Sequence, residues 1–125
     1  MKLRLLNDSI RLRLSQSEVV AAAQHGIVEG QTRFPDGSLF TFALEVLDDG
    51  SAASASYAGG RMVVKLAAAE ISAWANDDAS VSLRDELELP DGGPLKLLVE
   101  KDFKCVTSRD EEDQSDLFAN PQSTC

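Results

Sequence analysis

Polar and apolar residues alternate with period two over residues 2–6 (Lys-Leu-Arg-Leu-Leu) and 9–14 (Ser-Ile-Arg-Leu-Arg-Leu), which predicts two half-buried strands. Asn7 and Asp8 lie between them. Both residue types tolerate the positive φ of a tight hairpin, so the strands are expected to pair antiparallel. The spacing then becomes helical. Ser15-Gln-Ser-Glu18 has the form of a capping box, in which the serine oxygen and the glutamate carboxylate each satisfy a free backbone amide. The helix is expected to run to about His25, stop at Gly26, and turn Val19, Ala22 and Ala23 inward. Strands follow at about 27–34 and 38–47 around the Pro35-Asp36-Gly37 turn, and Asp48-Asp49-Gly50 closes this stretch.

The same order then recurs. A strand of small residues at 53–58, a Gly59-Gly60 turn and a strand at 61–66 lead into a helix at about 67–77, whose inner face would carry Ile71, Trp74 and Ala75. Strands at about 80–88 and 94–100 flank the turn at residues 90–93. A shift of 52 lays residues 10–18 on 62–70, and a shift of 55 lays Pro35-Asp36-Gly37 on Pro90-Asp91-Gly92 and Glu45 on Glu100. The chain therefore reads as an internal duplication with copies at about 1–50 and 53–100 in one domain, residues 1–100. The growth of the offset means that one strand or loop carries extra residues, and a bulge is the simplest explanation. The fold class is α+β: about eight mostly antiparallel strands, as a curled sheet or barrel, with two helices on one face. Residues 101–125 have no counterpart in the first half and form an acidic C-terminal extension. Five acids fall between Asp110 and Asp116, where an exposed loop or tail is expected.

Composition restricts the partners. The 125 residues, 43% of them hydrophobic, are enough for one core. A net charge of -9 and a pI near 4.4 argue against a general nucleic-acid or anionic-membrane binder. No apolar run approaches a membrane span, and charge interrupts the first residues too early for a signal peptide, so a cytoplasmic protein is expected. Cys105 and Cys125 do not form a secreted disulfide framework. They read as reduced thiols or as a reversible pair, and they lack the short spacings of a zinc site.

Strand alternation distributes the charge unevenly. With Leu3, Leu5, Ile10, Leu12, Leu14, Phe40, Phe42, Val64, Leu66 and Leu97 turned toward the helices, the opposite face receives Lys2, Arg4, Arg11, Arg13, Arg33, Arg61, Lys65, Arg84 and Lys96. Glu29, Glu45, Glu86, Glu88 and Glu100 share that side. The face then carries a net +4 and the remainder of the chain -13, for the total of -9. A wet outer face produces the same mixture of signs. Planar guanidiniums gathered on one face also suit phosphate or carboxylate recognition, with Arg4, Arg11, Arg13, Arg33, Lys65, Arg84 and Lys96 as the candidates.

His25, the single histidine, sits at a predicted helix end where its charged form favours the helix dipole, and no nucleophile motif surrounds it. Neither Gly59-Gly60 nor Gly92-Gly93 belongs to a phosphate loop. The acids at 110–116 lack the spacing of a calcium loop.

Cut after its first strand, each repeat reads strand, helix, three strands. That order, over residues 1–100, resembles the CYTH-like triphosphate tunnel fold, which implies a charged lumen binding triphosphate and a divalent metal. The family opens on Glu-x-Glu-x-Lys, whereas here the first strand is Lys2-Leu-Arg-Leu-Leu6 and the echo is Glu86-Leu-Glu88. Sliding-clamp domains also duplicate a helix and three strands. At the level of residues 9–18, 98–105, 112–116 and Asn120-Pro121, the chain is similar to a family of short bacterial proteins of unknown function, a likeness that implies no activity.

The favoured reading is a small non-enzymatic binding or interaction module that takes an anionic ligand or a protein partner, with no cofactor specified. The alternative is a metal-dependent phosphohydrolase in which Glu45, Glu86, Glu88 or Glu100 holds a divalent metal. A third is a scaffold whose sheet edge or tail makes a homo-oligomer.

Overall fold

The computed structural model describes residues 1–103. The expectations for Cys105, Cys125 and the acids at 110–116 lie outside those residues. The elements are β1 (Lys2–Leu5), β2 (Ser9–Leu14), α1 (Gln16–His25), β3 (Ile27–Arg33), β4 (Leu39–Leu47), β5 (Ser54–Ala58), β6 (Arg61–Ala67), α2 (Ala68–Asn76), β7 (Ser82–Glu88) and β8 (Pro94–Lys101). The α+β class and the element order agree with the sequence pattern.

The arrangement of the strands differs from expectation. They form two four-stranded sheets, β1-β2-β8-β7 (sheet A) and β3-β4-β6-β5 (sheet B), and no barrel closes. Hairpins make the outer pairs antiparallel, while the central pairs β2·β8 and β4·β6 run parallel. Period-two patterning specifies which face of a strand is apolar but not which distant strand lies beside it. Each sheet therefore joins a hairpin from the first half of the chain to one from the second.

Ile10, Leu12 and Leu14 on β2, Leu97 and Val99 on β8, Phe42 and Leu44 on β4, and Met62, Val64 and Leu66 on β6 join Val19, Ala22, Ile71 and Trp74 of the helices in one buried cluster. The predicted inward set is correct in direction. Leu5 shares its face with Ile10 yet remains 56% exposed, because β1 is an edge strand. Ala23 is exposed rather than inward, and Ala21 packs on the core in its place.

The helix boundaries follow local chemistry. The Ser15 hydroxyl accepts the Glu18 amide, and the Glu18 carboxylate accepts the Ser15 amide at 2.9 Å, completing the capping box. Gly26, at φ 76°, ends α1 in the left-handed conformation and donates its amide to the Ala22 carbonyl. Ala67 gives α2 no side-chain cap, so this helix depends on its alanines and on the burial of Ile71 and Trp74. The expected bulge is absent, since both β3·β4 and β7·β8 pair without interruption. The extra residues lie in a connection: Gly26 alone joins α1 to β3, whereas residues 77–81 join α2 to β7. Among the described residues, no helix is long and apolar enough to cross a membrane.

Candidate functional site

Because alternation buries the even positions of β2, its odd positions face away from the core, and the strand pairing assembles them into rows. One row across sheet A is Arg4, Arg11, Leu98 and Arg84, contributed by β1, β2, β8 and β7. The adjacent row is Lys2, Arg13, Glu100 and Ser82, and the row on the other side brings Ser9, Lys96 and Glu86 together. Three arginines thus fall in a single row that contains no carboxylate.

Glu100 organises the second row. It is 7% exposed, the one buried charged residue in the described structure. Its Oε1 accepts Arg13 Nε at 2.5 Å and Arg11 Nε at 2.7 Å, and Arg11 Nη2 lies 2.7 Å from the same oxygen. The two guanidiniums are themselves only 18% and 16% exposed along their side chains. One carboxylate against two guanidiniums leaves the cluster with a net positive charge in a partly desolvated place, where electrostatic interactions exceed their strength in water. Lys2, at the rim, pairs with Asp102 at 2.8 Å.

Sheet B presents a weaker counterpart. Arg61 Nη1 lies 3.0 Å from the Glu29 carboxylate and also donates to Thr41 Oγ1, while Lys65 and Arg61 both stand 3.9 Å from Glu45. The row equivalent in strand order to the arginine row is Ser56, Val63, Ala43 and Glu29.

The residues expected on one charged face are therefore divided. Lys2, Arg4, Arg11, Arg13, Arg84 and Lys96 share the polar face of sheet A, whereas Arg33, Arg61 and Lys65 lie on sheet B. Of the carboxylates considered for metal, Glu86, Glu88 and Glu100 lie on sheet A and Glu45 on sheet B, and Glu100 is engaged by Arg11 and Arg13. Among the described residues, no group of three His, Cys, Asp or Glu side chains is placed to hold a metal ion. His25 occupies the last turn of α1, as expected from its sequence. Alternation identified the arginines one strand at a time. The row itself required the parallel β2·β8 register, for which the sequence carries no short-range signal. Asp102 was also missed, since its role depends on where β8 ends.

A family model described as a family of unknown function (DUF7009) matches residues 1–122. Neither the curated proteins nor the solved structures contain a match to the chain.

Proposed function

The chain belongs to this family of unknown function, and from its geometry we propose a non-enzymatic binding module that recognises phosphate or carboxylate groups on the polar face of sheet A. The observation that carries this reading is the row formed by Arg4, Arg11 and Arg84, bordered by the Arg11–Glu100–Arg13 cluster. Arg4 and Arg11 stand on neighbouring strands about 5 Å apart and Arg84 two strands, about 10 Å, beyond Arg11, a spread that suits a ligand with several anionic oxygens, because each planar fork can hold two of them.

We further infer that the chain is an internal duplication, a reading that helps to locate the site. The strand order β1-β2-β8-β7 has the same connectivity as β5-β6-β4-β3, and the pairing of Arg13 with Glu100 matches that of Lys65 with Glu45. At the sequence offsets of 52 and 55, Arg4, Arg11 and Arg84 correspond to Ser56, Val63 and Glu29. A mixed-charge pair common to both copies is what a scaffold requires. The three arginines of the row occur in one copy alone, and this asymmetry supports recognition on sheet A.

Inorganic tripolyphosphate tests the proposal. It should raise the melting temperature of the full chain at low salt, with a rise that shrinks as salt increases. Arg4→Ala combined with Arg84→Ala, both on edge strands, should abolish the rise. Arg61→Ala on sheet B should leave it in place. A rise that survives the first variant would refute the assignment.

A further inference from the structure

We propose that β5 is a dimerisation edge: the β5 strands of two copies of this chain pair antiparallel about Ser56, so that the two copies of sheet B become one continuous sheet. Sheet B is separate from the anion site, which lies on sheet A. Among the described residues, β1, β7, β3 and β5 are the four edge strands. β1 carries Lys2 and Arg4, β7 carries Arg84 and Glu86, and β3 carries Glu29 and Arg33. β5, Ser-Ala-Ser-Tyr-Ala, carries neither charge nor proline. Charges and prolines on an edge are what prevent the strands of separate chains from pairing. β5 alone lacks them, in a chain of net charge -9 whose copies repel one another elsewhere.

The backbone of β5 fits a second copy of itself. Gly59 and Gly60, at φ 57° and 75°, make a two-residue turn to β6, so Ala58 and Arg61 form a hydrogen-bonded pair and the alternation continues through Ser56 and Ser54. The amides and carbonyls of Ala55 and Tyr57 therefore point away from β6, and no described strand receives them. A second β5 laid antiparallel satisfies both residues at once, since Ala55 then meets the second copy's Tyr57 and Tyr57 meets its Ala55. The contact is two-fold and uses up the free edge on each side, so assembly stops at the dimer.

The side chains agree with the same register. Ala55 and Tyr57 lie opposite Val64 and Met62, on the core-facing side of sheet B. There the rings of Phe42, Phe40 and Tyr57 follow one another toward the edge, with successive centroids 5.9 Å and 6.3 Å apart. Tyr57 ends the series at 67% exposure, the highest of the large apolar residues described. Pairing sets it beside the methyl group of the second copy's Ala55 and about 7–8 Å from the second copy's Tyr57, a diagonal that two aromatic rings can span. On the opposite side of the strand, Ser54, Ser56 and Ala58 oppose no like charges. The cations of β6, Lys65 and Arg61, stand three strand spacings, about 14 Å, from those of the second copy, beyond the screening length of about 10 Å at 0.1 M salt.

Five paired residues make a small interface, so the dimer is weak and is sought by sedimentation of the full chain from about 10 µM to 1 mM. The natural chain should dimerise reversibly, and more strongly as salt rises, because screening relieves the repulsion between two acidic copies. Ser56 is exposed and faces its own counterpart across the two-fold axis. Ser56→Lys and Ser56→Glu should therefore each be monomeric, since like charges directly opposite repel, and an equal mixture of the two should recover the dimer. Amide hydrogen exchange of the natural chain reads the edge without substitution: Ala55 and Tyr57 should exchange more slowly at high protein concentration, while Glu29 and Gln31 on the β3 edge should not change. A natural chain that stays monomeric to about 1 mM would overturn the proposal and leave β5 to a partner other than itself. A dimer that both charged variants retain, that their mixture does not recover, or that salt weakens would overturn it by placing the contact elsewhere.

Discussion

Arg13 and Glu100 occupy paired positions on adjacent parallel strands, and Arg13 Nε donates to Glu100 Oε1 at 2.5 Å. Arg11 donates to the same oxygen, so a single buried carboxylate holds two guanidiniums together. Glu100→Gln should therefore have opposite effects on stability and on binding. Leaving two cations adjacent should cost about 1–3 kcal/mol, below the full range for buried pairs because both arginines retain some solvent. The extra positive charge should also strengthen anion binding. Thermal melts with and without tripolyphosphate check both effects: the variant should melt several degrees lower alone and show the larger ligand-induced rise. A variant that melts like the natural chain would show that the cluster contributes nothing to stability.

The capping box of α1 predicts an acid-sensitive contribution. Burial favours the protonated form of Glu18, but hydrogen bonds from the N-terminal ammonium of Met1 and from Ser15 outweigh it and hold the carboxyl below the usual glutamate range. A carboxyl lowered on folding contributes stability that is complete above its unfolded pKa of roughly 4.3 and is lost as pH falls through the lower folded value. Glu18→Gln should destabilise the protein at neutral pH and flatten the decline of stability below about pH 4.3. Ser15→Ala should cost about 1 kcal/mol at neutral pH. Urea midpoints at pH 7 and pH 3.5 separate the two, because the Glu18→Gln deficit should shrink at the lower pH.

Local chemistry was legible in the sequence and long-range pairing was not. Ser15, Glu18 and Gly26 act within a few residues of one another, so the boundaries of α1 could be read directly. Alternation likewise gave the correct faces to Ile10, Leu12, Arg11 and Arg13, since a strand presents them with period two wherever it packs. The parallel partner of β2 lies 87 positions further along the chain, as in Ser9 beside Lys96, and a parallel register leaves no turn signature between the strands it joins. For this reason one charged face was expected where there are two. Glu100 was grouped with candidate metal ligands for the same reason, although its nearest cations are Arg11 and Arg13.

Gly30 is fixed by a contact rather than by its backbone angle. A Cβ at this position would lie 2.7 Å from Phe42 Cε2, would collide with Cζ as well, and faces a ring that is itself buried. Phe42 stacks on Phe40 with centroids 5.9 Å apart, which limits its room to move aside. Gly30→Ala should therefore destabilise by about 1–3 kcal/mol, the range for overpacking. Trimming the ring in the same chain, as Gly30→Ala with Phe42→Leu, should cost less than the sum of the two single changes. A denaturant double-mutant cycle measures that difference, and simple additivity would show that the ring is not what excludes a side chain at Gly30.

Trp74 ties α2 to the connection that precedes β7. It is 1% exposed, and its Nε1 donates to the Val81 carbonyl at 3.0 Å. The Lys101 amide bonds to the same carbonyl, while the Lys101 ammonium stands 5.6 Å from the indole centroid and donates to the Asp77 carbonyl at the end of α2. One lysine thus stacks on the ring and supplies the cation that the last turn of α2 lacks. Trp74→Phe retains most of the apolar volume but loses the indole donor, and should cost about 1–2 kcal/mol. Trp74→Ala should cost about 3–5 kcal/mol through the cavity it leaves. Lys101→Met retains the aliphatic stem and removes the charge, so its cost should fall when Trp74 is already Phe, since the stronger cation–π partner has gone. Chemical denaturation followed by circular dichroism measures all four chains. Equal costs for Lys101→Met in the two backgrounds would show that the lysine acts only on the end of the helix and not through the indole.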